Sequence, residues 1–190
     1  MSPAMWRRFL RPGFEAFIEL GKRYGYKVAH HSCGSIKPII PDLIECGLDI
    51  LNPLQPEARD MACPELKRLF GHRLSFHGSL SIQRTLPFGT PEQIRDEVRE
   101  RFEALGPGGG FIFCTAHNIQ ADTPPENVLA AFDAALRYGE YPVSSQNEGG
   151  EDSSRRGISA DSMDYVSYIR SLELPSRRKR MDINENRACG

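Results

Sequence analysis

The chain has 190 residues, 39% hydrophobic and 9% aromatic, the profile of a globular protein with one sizeable core. Twenty-four basic residues against twenty-five acidic ones leave a formal net charge of -1, which excludes an overall field toward nucleic acid or anionic membranes and leaves small-molecule chemistry open. No apolar run approaches the roughly 20 residues of a membrane span, and MSPAMWRRFLRPGF at the start has no signal-peptide apolar segment, so a cytoplasmic location is expected.

The chain opens with helix. Ser2-Pro3 caps a first turn carrying Trp6, Phe9 and Leu10, and Phe14, Phe17, Ile18 and Tyr24 fall at helical spacing over 13–24, behind Pro12. YKVAHHSC (26–33) reads as a strand, and IKPIIPDLIECG (36–47) as a helix with Ile40, Leu43 and Ile44 on one face, closed by Gly47. The unit repeats as strand LDILNPLQ and helix CPELKRLFG, then as strand RLSFHGSL and helix TPEQIRDEVRERFEALG. In that last helix Thr90, Pro91 and Gln93 give a capping box with proline at the first position. A fourth pass runs from GGGFIFCTAH to TPPENVLAAFDAALRYG, where Thr123 and Glu126 again have capping-box spacing and Gly139 closes the helix.

Four consecutive strand-helix units imply parallel pairing, hence an α/β fold, either a barrel or a doubly wound sheet. Strands apolar on both parities, such as FIFC and LDIL, predict a sheet covered on both faces. Neither GxxxxGK[ST] nor a GxGxxG after the first strand occurs; GPGGG (106–110) precedes a strand and reads as a connection. Residues 1–142 are expected to form one domain. After Pro142 the chain turns polar and Gly/Ser-rich, so 143–190, with its basic SRRKR cluster, is expected to be a disordered tail without function of its own.

In parallel α/β folds reactive groups gather at the carboxyl ends of the strands. There stand His31 and Cys33, then Asn52 and Gln55, then His77 and Gln83, and finally Cys114, His117 and Asn118. In extended chain, residues 31 and 33 point to one side, and a third ligand from a distant strand would complete the three-protein-ligand set of a catalytic zinc: His31, Cys33 and His117. On spacing alone an HxC pair more often marks a packed thiol beside a partly exposed imidazole than a metal site, and that alternative stays open here. Cys46, Cys63 and Cys114 read as small buried hydrophobes, and the odd set of five cysteines suits free thiols in a reducing compartment. His72 reads as surface, His30 has the parity opposite to His31, and His77 could serve as a ligand, a proton donor or a hydrogen-bonded structural histidine.

The segments SPAMWRRFLRPGF, HSCGSIKPIIPDLIECGLDILNPLQPEA, LKRLFGHRLSFHGSL, TLPFGTPEQIRDEVRERFEALGPGGGFIFCTAHNI and DTPPENVLAAFDAA resemble, in order, the uroporphyrinogen decarboxylase superfamily, which also contains cobalamin-dependent methyltransferases. The resemblance runs from about Ser2 to Tyr141. It implies the carboxyl-terminal half of a (β/α)8 TIM barrel, and because four strands cannot close a barrel, the chain is expected to be a fragment or to pair with a missing half or another copy.

In the methyltransferase branch an HxC pair and a later Cys bind zinc, which activates a thiol substrate. His31 and Cys33 match the pair, and the later Cys falls at His117. The resemblance therefore implies zinc-assisted methyl transfer involving a corrinoid carrier, with zinc on His31, Cys33 and His117. Asn52, Gln55, Gln83 and Asn118 would contact substrate, His77 and His117 would act in catalysis, and a corrinoid protein would be the partner. Porphyrinogen decarboxylation, with a histidine at the His117 position, is the alternative; that branch carries an Asp-Trp pair after the second of these strands where this chain has LNPLQP with neutral Asn52 and Gln55. A further alternative is an inactive fragment awaiting its other half.

Overall fold

Ser2 starts the first helix of the computed structural model, which describes residues 1–140. Its hydroxyl accepts from Met5 N–H (3.2 Å), and α1 (Pro3–Phe9) follows, with proline where no N–H is missed. The first turn read from sequence is thus a full short helix, and α2 (Arg11–Arg23) begins beside Pro12. Arg7 and Arg11 tie both helices to α3 (Ile40–Glu45): Arg7 donates from Nε and Nη2 to the two oxygens of Asp42 (2.7 and 2.9 Å), and Arg11 Nη1 reaches Oδ1 at 3.1 Å. Asp42 is 5% exposed, so this pair is the sheltered end of an otherwise exposed network.

Four strands, β1 (Ala29–His31), β2 (Ile50–Asn52), β3 (Ser75–His77) and β4 (Phe111–Ile112), pair in parallel in the order β1-β2-β3-β4. The connections carry α3, α4 (Cys63–Phe70), α5 (Thr85–Phe88) and α6 (Pro91–Leu105), and α7 (Pro125–Tyr138) follows β4. This is the α/β architecture, consistent with part of a TIM barrel, that the strand-helix order predicted. No described helix is long and apolar enough to cross a membrane. The boundary after Pro142 and the expected tail lie outside the described residues.

Several local expectations need correction. The strands span two or three residues where eight to ten were read. Pro53 has no N–H for the ladder, so β2 stops at Asn52, and Gly78 at φ +80° leaves the extended region, so β3 stops at His77. The helix read over 36–47 begins as a 3-10 turn (Lys37–Ile39), because Pro41 cannot sit inside an α-helix and fits only its first turn. Thr90 and Gln93 form the capping box of α6 as read, with Gln93 Oε1 accepting from Thr90 N–H at 2.8 Å and Thr90 Oγ1 accepting from Gln93 N–H at 3.3 Å. Thr123 and Glu126 form none: α7 starts one residue later, with extended Pro124 as its cap. The four-residue α5 is too short to show a period and was not anticipated.

The ladder register fixes the two faces. Leu51, Phe76 and Phe111 share one row and are buried, joining Ile18, Leu43, Leu66, Val98 and Phe102 in the core. His31, Asn52, His77 and Ile112 share the opposite row. That face is open, Ile112 being 45% exposed, so the expectation of a sheet covered on both faces fails on this side. Four strands turn too little to place other strands opposite the row.

Arg7, through its hydrogen bonds, holds the Asp42 carboxyl below the usual carboxylate range, with Arg11 adding to it. With the lower value in the folded state, this contribution is present above the unfolded carboxylate value of about 4 and is lost as pH falls through the folded one. Urea unfolding of Asp42→Asn therefore shows a lower midpoint than the parent at neutral pH, with the gap narrowing as pH drops below about 4; a gap independent of pH overturns this account.

Candidate metal centre

β1 delivers His31 to the open face, and two residues on, Cys33 returns to the same side, as extended chain requires. His117 arrives from beyond β4, where Leu80 pairs with Thr115 in a parallel bridge and Ala116 N–H donates to the Leu80 carbonyl at 2.8 Å. Thr115 Oγ1 then donates to the His117 carbonyl at 2.6 Å, fixing the local backbone. Ligand atoms of His31, Cys33 and His117 all lie within 4.8 Å of one another, and all three side chains are exposed. The two imidazole rings meet edge to face, their centroids 5.7 Å apart. Zn–N and Zn–S bonds of about 2.0–2.3 Å put tetrahedral ligand atoms about 3.3–3.8 Å apart, so modest side-chain rotation brings these three around one ion.

Asn52 settles the chemistry of the His31 ring. Its Nδ2 donates to the His77 carbonyl at 3.1 Å, a group that only accepts, so the amide oxygen is the atom 2.7 Å from His31 Nδ1. An amide oxygen accepts, hence Nδ1 carries a proton, and in the neutral ring Nε2 keeps its lone pair. Cys33 Sγ lies 3.4 Å from that Nε2, placed to donate its thiol hydrogen to the neutral ring. Metal-binding histidines show this arrangement, one nitrogen on a fixed acceptor and the other free for an ion.

Gln55 holds the turn that follows the pair: its Oε1 accepts from Gly34 N–H at 2.8 Å, with Gly34 at φ +89°. Ser35 adds a hydroxyl bond to the Arg59 carbonyl at 2.7 Å. Asn52 and Gln55, read from sequence as substrate contacts, are thus engaged with the HSCG segment itself. His77 shares the row of His31 and Asn52 but stands outside the three-residue ligand group. Gln83 lies exposed in the turn before α5, and Asn118 is exposed after His117, its carbonyl accepting from Gln120 Nε2 at 2.9 Å. His30 points the other way, as its parity required: it packs edge-on against Phe14, centroids 4.8 Å apart, and burial pushes its imidazole below the ordinary range, with His31 adding to the shift.

Sequence reasoning missed Gly78. A Cβ there would stand 2.9 Å from the Thr115 carbonyl and 3.3 Å from Asn52 Nδ2, so a side chain would push apart the strand that carries His117 and the amide that orients His31. The only sequence signal was a glycine directly after a strand-end histidine. Cys46 and Cys114 are half-buried and Cys63 buried, and none joins the ligand group.

The chain belongs to the uroporphyrinogen decarboxylase family: the family's sequence profile, described as Uroporphyrinogen decarboxylase (URO-D), matches residues 1–138. The uroporphyrinogen decarboxylase of Pseudoalteromonas translucida is 36% identical over 74 residues, covering 39% of this chain and 20% of the relative. That of Thermus thermophilus is 28% identical over 142 residues, covering 67% of this chain and 35% of the relative. A solved methyltransferase from Methanosarcina mazei superposes with a TM-score of 0.61 at 26% identity, covering 74% of this chain and 39% of that one. The chain therefore spans about a fifth to two fifths of the length of these relatives.

The tautomer imposed on His31 is directly observable. Long-range nitrogen-proton NMR correlations place the His31 proton on Nδ1 in the parent chain at neutral pH, and Asn52→Leu releases it to the Nε2-protonated form that free imidazole side chains favour. An unchanged His31 pattern in Asn52→Leu removes the role assigned to Asn52.

Proposed function

We propose that this chain carries a zinc centre for methyl transfer involving a corrinoid carrier, with His31 Nε2, Cys33 Sγ and a ring nitrogen of His117 as the protein ligands. The observation that carries the reading is the convergence of these three ligand atoms within 4.8 Å, with His31 already held in the ligating tautomer. A His, Cys, His set suits a borderline-soft ion and leaves the fourth position of a tetrahedron for a substrate group.

When bound, the ion supplies Lewis acidity, lowering the proton affinity of a substrate thiol at that fourth position so that the sulfur reacts as thiolate. The chain's own residues do the rest. Asn52 orients His31, Gln55 and Gly34 fix the turn behind Cys33, and His77, Gln83 and Asn118 remain as substrate contacts, with His77 a proton donor on the same face. The name of the Methanosarcina mazei neighbour, a methyltransferase, supports group transfer. Among the described residues, β1 and β4 each have a neighbour on one side alone. In this reading their free edges and the open inner row are covered by complementary strands, which complete the site.

The names of the curated relatives favour a second reading, decarboxylation of a porphyrinogen, in which His117 orients a carboxylate and Cys33 is incidental. Metal content separates the two. The first reading expects one zinc per chain by elemental analysis, lost in His31→Ala, Cys33→Ala and His117→Ala, and a cobalt-substituted protein whose near-ultraviolet sulfur-to-metal band vanishes in Cys33→Ser. Asn52→Leu lowers zinc affinity on the order of ten- to hundredfold, as measured by chelator competition. A folded chain that takes up no zinc would falsify the first reading.

A further inference from the structure

A cavity of about 580 Å³ opens between the loop after β2, the turn before α5 and one side of α6, and none of the three proposed metal ligands lines it. Its charged lining is four carboxylates, Glu57, Asp96, Glu97 and Glu100, against two guanidinium groups, Arg84 and Arg101. Asp96 is engaged with Arg99 at 3.0 Å, on the surface of α6. Glu57 and Glu97 are the informative pair.

Both meet at Ser81. The Ser81 hydroxyl donates to Glu57 Oε1, and Ser81 N–H donates to Glu97 Oε1 at 3.1 Å. Glu97, 8% exposed, also accepts on Oε1 from Arg101 Nη2 at 2.7 Å. The second oxygen of each carboxylate, Glu57 Oε2 and Glu97 Oε2, is buried and has no hydrogen-bond partner among the described residues. Two of the nearest donors are already committed. Ser81 has spent its one hydroxyl hydrogen on Glu57, and Arg101 Nε donates to the Ser79 carbonyl at 3.3 Å. Buried carboxylate oxygens without donors are costly, and two such groups side by side repel unless positive charge lies between them.

We propose that this cavity is a binding site for a small organic cation carrying primary ammonium groups, of which an aliphatic diamine is the simplest. An ammonium brings three N–H donors to the two unpartnered oxygens, Glu57 Oε2 and Glu97 Oε2, and a positive charge to a lining of four carboxylates against two guanidinium groups. An anion meets four carboxylates against two guanidinium groups, and a neutral ligand leaves that excess of negative charge in place. A single cavity water occupies about 30 Å³, so the space fits an organic molecule far better than a bare ion. Phe88, 75% exposed and part of the lining, offers a ring face of the kind that attracts cations. The site is separate from the metal centre although one loop serves both: Gln55 holds Gly34, and Glu57 stands two residues further on.

Isothermal titration calorimetry of the full 190-residue chain with putrescine, at constant ionic strength, tests the proposal, with butanediol as the neutral control. One-to-one saturable binding of putrescine and no heat from butanediol are expected. Because hydrogen bonds to charged groups are involved, Glu57→Gln weakens putrescine on the order of ten- to hundredfold, with the fold checked by far-ultraviolet circular dichroism. If Glu57→Gln does not fold, Glu100→Gln, on the exposed side of α6, carries the test and shows a severalfold loss. The proposal is overturned by absent saturation, by equal binding of diamine and diol, by undiminished binding in the folded variant, or by magnesium chloride displacing putrescine at equal concentration.

Discussion

The side-chain amide of Asn52 sits between two strands and can be satisfied in one orientation only. Its amino end is fixed by the His77 carbonyl, so its oxygen faces His31 and dictates which imidazole nitrogen is protonated. Two further contacts close around the same point. Ser32 N–H donates to the Asn52 carbonyl at 2.8 Å, pinning the backbone between His31 and Cys33, and Gly78 leaves room for the amide beside β3. One residue thus joins the register of three strands to the electronic state of one ring. An aliphatic side chain of similar size would keep the sheet and lose the coupling.

The sheet makes that coupling possible through parity. In a parallel ladder without bulges, every second residue of each strand shares a face, and the observed register sets His31, Asn52 and His77 side by side. The same parity sends His30, Leu51, Phe76 and Phe111 toward the helices, where apolar burial pins the register. A slip by one residue would bury His31 and expose Phe76. The core on one face therefore holds the site on the other, and the chemistry of the open row depends on residues that never touch it.

How much of this can be read from sequence follows the range of the interactions. The capping box of α6 is a contact between residues three apart, so Thr90 and Gln93 are legible as letters. The strand-helix order is legible too, because helical and strand periods are local. The same spacing at Thr123 and Glu126 misleads, since two successive prolines shift the cap by one residue and spacing alone carries no backbone geometry. His31, Cys33 and His117 are found by their place at strand ends, and the structure brings them together. The roles of Asn52, Gln55 and Gly78 are hidden because each depends on a partner 21 or more residues away, set by register and turn conformation. The convergence of Glu57 and Glu97 on Ser81 is hidden for the same reason.

Charge decides what the proposed ligand set can do. Two neutral imidazoles and one thiolate leave a divalent ion with one net positive charge, whereas one imidazole and two thiolates would leave none. The more positive centre binds an anionic sulfur more firmly and lowers a thiol's proton affinity further, and it also withdraws more electron density from that sulfur. In the proposed centre, histidine at position 117 would therefore favour capture of a thiolate over its reactivity once captured. The neighbours in the open row cannot restore the balance, because Asn52 is neutral and His77 has no negative charge to lend. A substrate whose sulfur is intrinsically electron-rich, or a carrier whose methyl group is intrinsically labile, best suits such a centre, and both conditions point outside the three ligands to the surfaces that the open row presents.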